Sequence, residues 1–194
     1  MDRPEGCRFD EATWERYCAT ATRGRLFLSD SGGQYGRMNE EYQRRLRNRP
    51  APAPHMSHIG VILGERGIAE VRSDIGPCVD GSLDRYTVGA QKLMIVEPQP
   101  VLTTPQVDRG ISRMLAFVAR KKEKGTLGYD WTSLWSKGRL CEPGHDICSE
   151  FAAKYLYIAW GDELFQQATG IDPLDEELVL PDDFFGFCTV MFEG

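Results

Sequence analysis

A cysteine, a histidine and a carboxylate together can cleave an acyl bond by nucleophilic catalysis. The chain has three histidines, His55, His58 and His145, so any imidazole chemistry must draw on one of them. Cys148 follows the polar turn Pro143-Gly144-His145-Asp146 and opens an apolar-striped helical segment. There the positive end of the helix dipole favours thiolate over thiol. The competing role for Cys148 is that of a small buried hydrophobe. His58 begins the apolar run Ile59-Gly60-Val61-Ile62-Leu63, a rigid mount for a general base, although an isolated strand histidine is more often structural. Glu70 lies twelve residues further on, in Ile68-Ala69-Glu70-Val71. A carboxylate among apolar neighbours demands a cation or an imidazole N–H.

The elements that must position these residues are legible from periodicity. Ser57 to Gly64 and Ile68 to Ser73 are β-rich runs separated by Glu65-Arg66-Gly67, a hairpin pattern. Arg25 to Leu28, Gln91 to Glu97 and Gly186 to Phe192 read as further strands. Asp10 to Ala19 reads as a short helix and Arg37 to Arg49 as a charged one, whose basic run from Arg44 to Arg49 is expected to be a solvated face. Thr104-Pro105 supplies an N-cap and first-turn proline for a helix whose apolar positions Val107, Ile111, Leu115 and Val118 lead to a basic end at Lys121, Lys122 and Lys124. Cys148 to Trp160, closed by Gly161, is the second long helix. The class implied is α+β, an antiparallel sheet packed against helices.

This order of elements resembles a known family. Ser57-His58-Ile59-Gly60-Val61-Ile62-Leu63-Gly64, an acid in the next strand, then Tyr129-Asp130 and finally Cys148-Ser149-Glu150 before an aromatic-rich helix look like the circularly permuted papain-fold cysteine hydrolases of the NlpC type, the YiiX-like branch. Unpermuted relatives run from cysteine to histidine to a third polar residue; the permuted branch puts the histidine strand first and the cysteine helix last, as here. Arg23-Gly24-Arg25-Leu26-Phe27-Leu28 is similar to the family's early Gly-Asp-Leu-Ile-Phe strand, and Leu180-Pro181-Asp182-Asp183 to its late Pro-Asp-Asp turn. The resemblance covers most of residues 24 to 192. It implies Cys148 as nucleophile, His58 as general base, Glu70 as the group that orients the imidazole, and Tyr129 near the oxyanion or substrate. Arg25 stands where the family usually has an acid, and Ile147 where unpermuted relatives often have Asp. A regular ladder closed by a three-residue loop would instead put Asp74 opposite His58, so Asp74 is the rival for the third role.

The implied reaction is cleavage of an amide, whether peptide, isopeptide or cell-wall amide, through a thioester, with no cofactor. Lipid ester hydrolysis or acyl transfer on the same fold is the alternative. A zinc-binding module using His55, His58, Cys141, His145 and Cys148 is a further one, although six residues between Cys141 and Cys148 exceed the spacing of a structural zinc knuckle. A catalytically inactive binding protein of the same fold is the last.

Composition sets the outer bounds. The 194 residues are expected to form one hydrolase domain, residues 1 to 194, with an N-terminal arm over residues 1 to 23 and an insertion over residues 37 to 54 that ends in the stiff Pro50-Ala51-Pro52-Ala53-Pro54. A net charge of -6 argues against nucleic acid as partner. The charge-free apolar run from Phe184 to Phe192 has nine residues, well short of the roughly 20 of a membrane-spanning helix. Its opening residues contain no apolar signal region, which leads to the expectation of a cytoplasmic protein whose six cysteines are free thiols.

Overall fold

The computed structural model describes residues 2–30, 32, 56–126, 128, 147–171, 179 and 181–194. The expected Arg37 to Arg49 helix, the proline-alanine linker, and Tyr129, Cys141, His55 and His145 lie outside the described residues.

Among the described residues six strands make one antiparallel sheet: β1 Leu26–Asp30, β2 His58–Gly64, β3 Gly67–Arg72, β4 Gly76–Ser82, β5 Lys92–Pro98 and β6 Cys188–Glu193. Their order across the sheet is β4-β3-β2-β1-β5-β6, and each neighbouring pair is antiparallel. The helices are α1 Glu11–Thr20, α2 Arg85–Gly89, α3 Thr104–Lys124, α4 Cys148–Trp160 and α5 Asp162–Thr169, with a 3-10 turn over Pro181–Gly186 before β6. The chain is therefore α+β.

Strand parity divides the core in two. Ile59 and Val61 of β2, Ala69 and Val71 of β3, and Met94 and Val96 of β5 face α3 and α4 in one buried cluster. Ile62, Ile68, Leu93 and Ile95 point the other way and pack with Phe27, Phe192, Phe9, Trp14 and Tyr17. Both faces of the sheet are thus buried, which explains why β2 is apolar at consecutive positions instead of alternating. The residues read as an N-terminal arm supply the aromatic lid of the second face: Trp14 and Tyr17 of α1 are buried, and Asp10 caps that helix by accepting from the Thr13 N–H at 2.8 Å.

The long helix α3 begins one residue earlier than its sequence pattern suggests, with Thr103 as N-cap and the Gln106 side chain accepting from the Thr103 N–H at 2.9 Å. It ends on Gly125 in the left-handed region, at φ 64°. Gly110 lets α4 approach closely, since a Cβ there would lie 2.6 Å from the Tyr155 ring. The Tyr155 hydroxyl donates to the Gly24 carbonyl at 3.0 Å and so ties α4 to the entrance of β1.

The β2–β3 hairpin departs from the expected three-residue loop. Gly64 pairs with Gly67, so the turn is the two residues Glu65 and Arg66, both with positive φ (47° and 64°). Such a turn matches the twist of antiparallel strands but usually carries Asn-Gly, which is why Glu-Arg does not announce it. Arg66 is held from outside the turn: its guanidinium donates to Asp84 Oδ1 at 3.1 Å and lies 5.2 Å from the Trp14 ring centroid. The edge strand β4 and the short helices α2 and α5 are not among the expected elements.

Candidate functional site

The two-residue turn alone would set Gly60 opposite Val71; a register shift between Ile62 and Gly64 moves the ladder by one residue and decides the site. Gly60 pairs with Glu70, which leaves His58 diagonal to Glu70 on the same face of the sheet. His58 Nε2 and Glu70 Oε2 are 2.8 Å apart. Asp74 lies beyond β3, is exposed, and pairs with Arg72 at 2.5 Å. The ladder that would have put Asp74 opposite His58 does not form.

Cys148 is the first residue of α4 and is 4% exposed. Ile147 precedes it as N-cap, and the Glu150 side chain reaches back to accept from the Ile147 N–H at 3.2 Å. Ser149 donates to the Val179 carbonyl at 2.5 Å and pins the first turn. The N–H groups of this turn have no partner within the helix. His58, the first residue of its strand, meets the Glu70 carboxylate through Nε2, and Cys148 lies close enough to act on the charge of the ring. With Nε2 engaged by Glu70, Nδ1 is the nitrogen left for the thiol.

Electrostatics follow from these contacts. Burial opposes a charge on His58, but hydrogen bonding and charge from Cys148, then from Glu70, outweigh it and push the imidazole up to about 9. The ring is 20% exposed, so it touches both solvent and the buried carboxylate. For Glu70, burial alone would raise the carboxyl; the imidazole, the Tyr86 hydroxyl and the Arg85 guanidinium reverse that and hold it below its ordinary value. Glu70 is fully buried and remains anionic because its donors are in place.

Two of those donors escaped the sequence reading. Tyr86 and Arg85, both on α2, bind Glu70: the Tyr86 hydroxyl donates to Oε2 at 2.5 Å and Arg85 Nη2 donates to Oε1. The Tyr86 ring stacks on the imidazole with centroids 5.8 Å apart and an interplanar angle of 21°. The only available cue was the demand of a buried carboxylate for a cation; nothing in the spacing of Asp84-Arg85-Tyr86 marks the residues that meet it.

Arg25, where the resembled family usually has an acid, binds Glu97 of β5 through Nη2 at 2.9 Å. Tyr129 lies outside the described residues, as do His55, Cys141 and His145 of the zinc alternative. Among the described residues no three of His, Cys, Asp and Glu converge as a metal site would require. None of the described helices is long and apolar enough to cross a membrane. No protein-family model matches the chain, and no curated protein matches it significantly.

Proposed function

We propose that this chain is a cysteine-dependent hydrolase of the permuted papain-like, NlpC-type fold that cleaves an amide through a thioester. The observation that carries the reading is the buried Glu70 carboxylate 2.8 Å from His58 Nε2, on an imidazole whose charge also responds to Cys148 at a helix start. The order of histidine strand first and cysteine helix last supports the permuted form.

In the reaction, Cys148 Sγ attacks the substrate carbonyl carbon as a thiolate, and the carbonyl oxygen takes up the negative charge. The Cys148 backbone N–H at the start of α4 donates to that oxyanion. Collapse of the tetrahedral species breaks the C–N bond, and the His58 imidazolium gives its Nδ1 proton to the departing amine. The neutral ring then takes a proton from water as the water oxygen attacks the thioester carbon, and Cys148 leaves as the thiolate, which restores its pair with the imidazolium. The net change is amide plus water to acid plus amine. Glu70 holds the ring in the Nε2–H tautomer throughout.

Amides are favoured over membrane lipids because a net charge of -6 is repelled by anionic leaflets. The test incubates the protein with peptidoglycan stem peptides, isopeptide-linked substrates and short-chain lipid esters in parallel, with Cys148→Ala as blank. Amine release absent in the blank is the expected result. Turnover confined to lipid esters would move the protein to the ester hydrolase or acyltransferase class, and no turnover together with an unreactive Cys148 would overturn the reading.

A further inference from the structure

The carboxylate of Glu70 is saturated. Oε2 takes the imidazole Nε2 at 2.8 Å and the Tyr86 hydroxyl at 2.5 Å, while Oε1 takes Arg85 Nη2 and, more weakly, the Cys78 thiol at 3.8 Å. Each oxygen thus has two donors, the usual capacity of a carboxylate. Arg85 Nη2 also reaches the Tyr86 hydroxyl oxygen at 2.8 Å. A guanidinium only donates, so the hydroxyl accepts from Arg85 and its own proton is committed to Glu70. Arg85 therefore fixes the carboxylate directly and, through Tyr86, fixes the group that stacks on the imidazole.

The same contact divides the charge. A buried carboxylate facing an imidazolium alone would bind it so tightly that the ring would part with its proton reluctantly. A guanidinium on the opposite oxygen draws off part of that attraction and repels the imidazolium. The groups acting on the ring are Cys148 from α4, Glu70 from β3 and the stacked Tyr86 from α2; Arg85 of α2 holds the far oxygen of the carboxylate, with Cys78 of β4 behind it and Asp80 and Arg72 further out around Cys78.

We infer that Arg85 is a positioning residue which aligns Glu70 and Tyr86 on His58 and shares the carboxylate's charge, so that the imidazole is held in line yet still releases its proton to the leaving group. The inference rests on His58 being the acid–base group of the function proposed above. A purely structural Arg85 makes the opposite prediction: its loss would loosen Glu70 from His58 and let the imidazole fall toward its ordinary value.

The experiment follows the His58 imidazole by NMR titration in the full chain carrying Cys148→Ala, which leaves Glu70 as the anion on the ring. Three histidines make assignment by single substitution straightforward. Arg85 is 35% exposed, so the effect is moderated by solvent. Adding Arg85→Gln is expected to raise the His58 midpoint by about 0.5 to 1 pH unit, and Arg85→Lys to return most of that shift. Tyr86→Phe, which keeps the stacked ring but takes one donor from Oε2, is expected to raise it by a few tenths and carries the test should Arg85→Gln not fold. A midpoint that falls or stays put overturns the inference. Iodoacetamide alkylation of Cys148 in the otherwise unaltered chain separates the two levels: equal rates with and without His58→Gln would overturn the hydrolase reading itself, whatever the midpoints show.

Discussion

Glu70 sits opposite Gly60 on the β2–β3 ladder, yet the partner it binds is His58, two residues away. A glycine at that position leaves no side chain between the carboxylate and the imidazole. The space above Gly60 belongs to Phe27, whose ring lies 5.8 Å from that of His58 and 4.9 Å from that of Tyr86.

Gly60→Ala is accordingly expected to damage both the fold and the site. A Cβ there would come within 2.5 Å of Phe27 Cε1 and 2.8 Å of the Ala69 carbonyl oxygen, and the backbone oxygen cannot give way as a flexible side chain would. Overpacking of this kind costs about 1 to 3 kcal/mol, which urea denaturation would register. Displacement of Phe27 should also slow alkylation of Cys148, and an unchanged rate would show that Phe27 does not support the imidazole.

Glu70→Gln and Asp74→Asn separate the two candidates for the third role. The first replaces the orienting charge, and by analogy with other triads should lower turnover by about 10- to 10⁴-fold. The second removes one half of an exposed pair with Arg72 and should leave turnover near that of the unaltered chain. The reverse order would mean that the contact with Glu70 is structural.

What could be read from the sequence divides along physical lines. The helix of Thr104–Lys124, the cysteine helix and the strands bearing His58 and Glu70 have long or strongly apolar patterns, and each forms within a residue or two of its expected bounds. The pairing of His58 with Glu70 was not legible from the ladder alone, because it depends on Glu65 and Arg66 adopting positive φ, which neither residue type prefers, and on the register shift between Ile62 and Gly64 that follows the turn. It was reached through resemblance. Arg85 and Tyr86 were illegible for another reason: their role comes from β4 and α2 folding back beside β3, a tertiary relationship with no local signature.

The residues read as an N-terminal arm brace the helix that carries Arg85 and Tyr86. The buried Tyr17 hydroxyl donates to Asp84 Oδ1 at 3.0 Å, and Asp84 is the N-cap residue of the helix that carries Arg85 and Tyr86. Tyr17→Phe leaves the ring packing intact and removes one hydrogen bond to a carboxylate, a loss of about 1 to 3 kcal/mol. If α1 supports the site, this variant should also slow Cys148 alkylation modestly. A stability loss with unchanged alkylation would confine α1 to the core.

Brief iodoacetamide treatment near neutral pH should modify Cys148 ahead of the other described cysteines. Burial and the Glu70 carboxylate push the Cys78 thiol up to about 12, and burial raises Cys188 and Cys18 as well. Peptide mass spectrometry would read the order. Equal labelling across the chain, or an untouched Cys148 in a folded sample, would remove it as nucleophile.

The His58–Glu70 pair should leave its mark on stability as a function of pH. The imidazole rises from 6.5 to about 9 on folding, so the folded state binds this proton more tightly than the unfolded chain does. Its contribution is fully present below pH 6.5 and is lost as pH climbs through about 9. Glu70 is shifted the other way, below 4.5, so its contribution is present above that value and is lost as acid protonates it in the folded state. The pair is thus most stabilising in the window between these limits, from about pH 4.5 to 6.5. Guanidinium denaturation across the pH range should show the unaltered chain losing stability between pH 6.5 and 9 more steeply than His58→Gln, which has no imidazole to titrate. Glu70→Gln should flatten the acid limb and part of the same alkaline limb, since it removes the carboxyl and, after Cys148, the second of the two groups that raise the imidazole. Parallel profiles for all three proteins would mean that His58 carries no excess proton affinity in the folded state, and the charge relationship at the centre of the site would have to be abandoned.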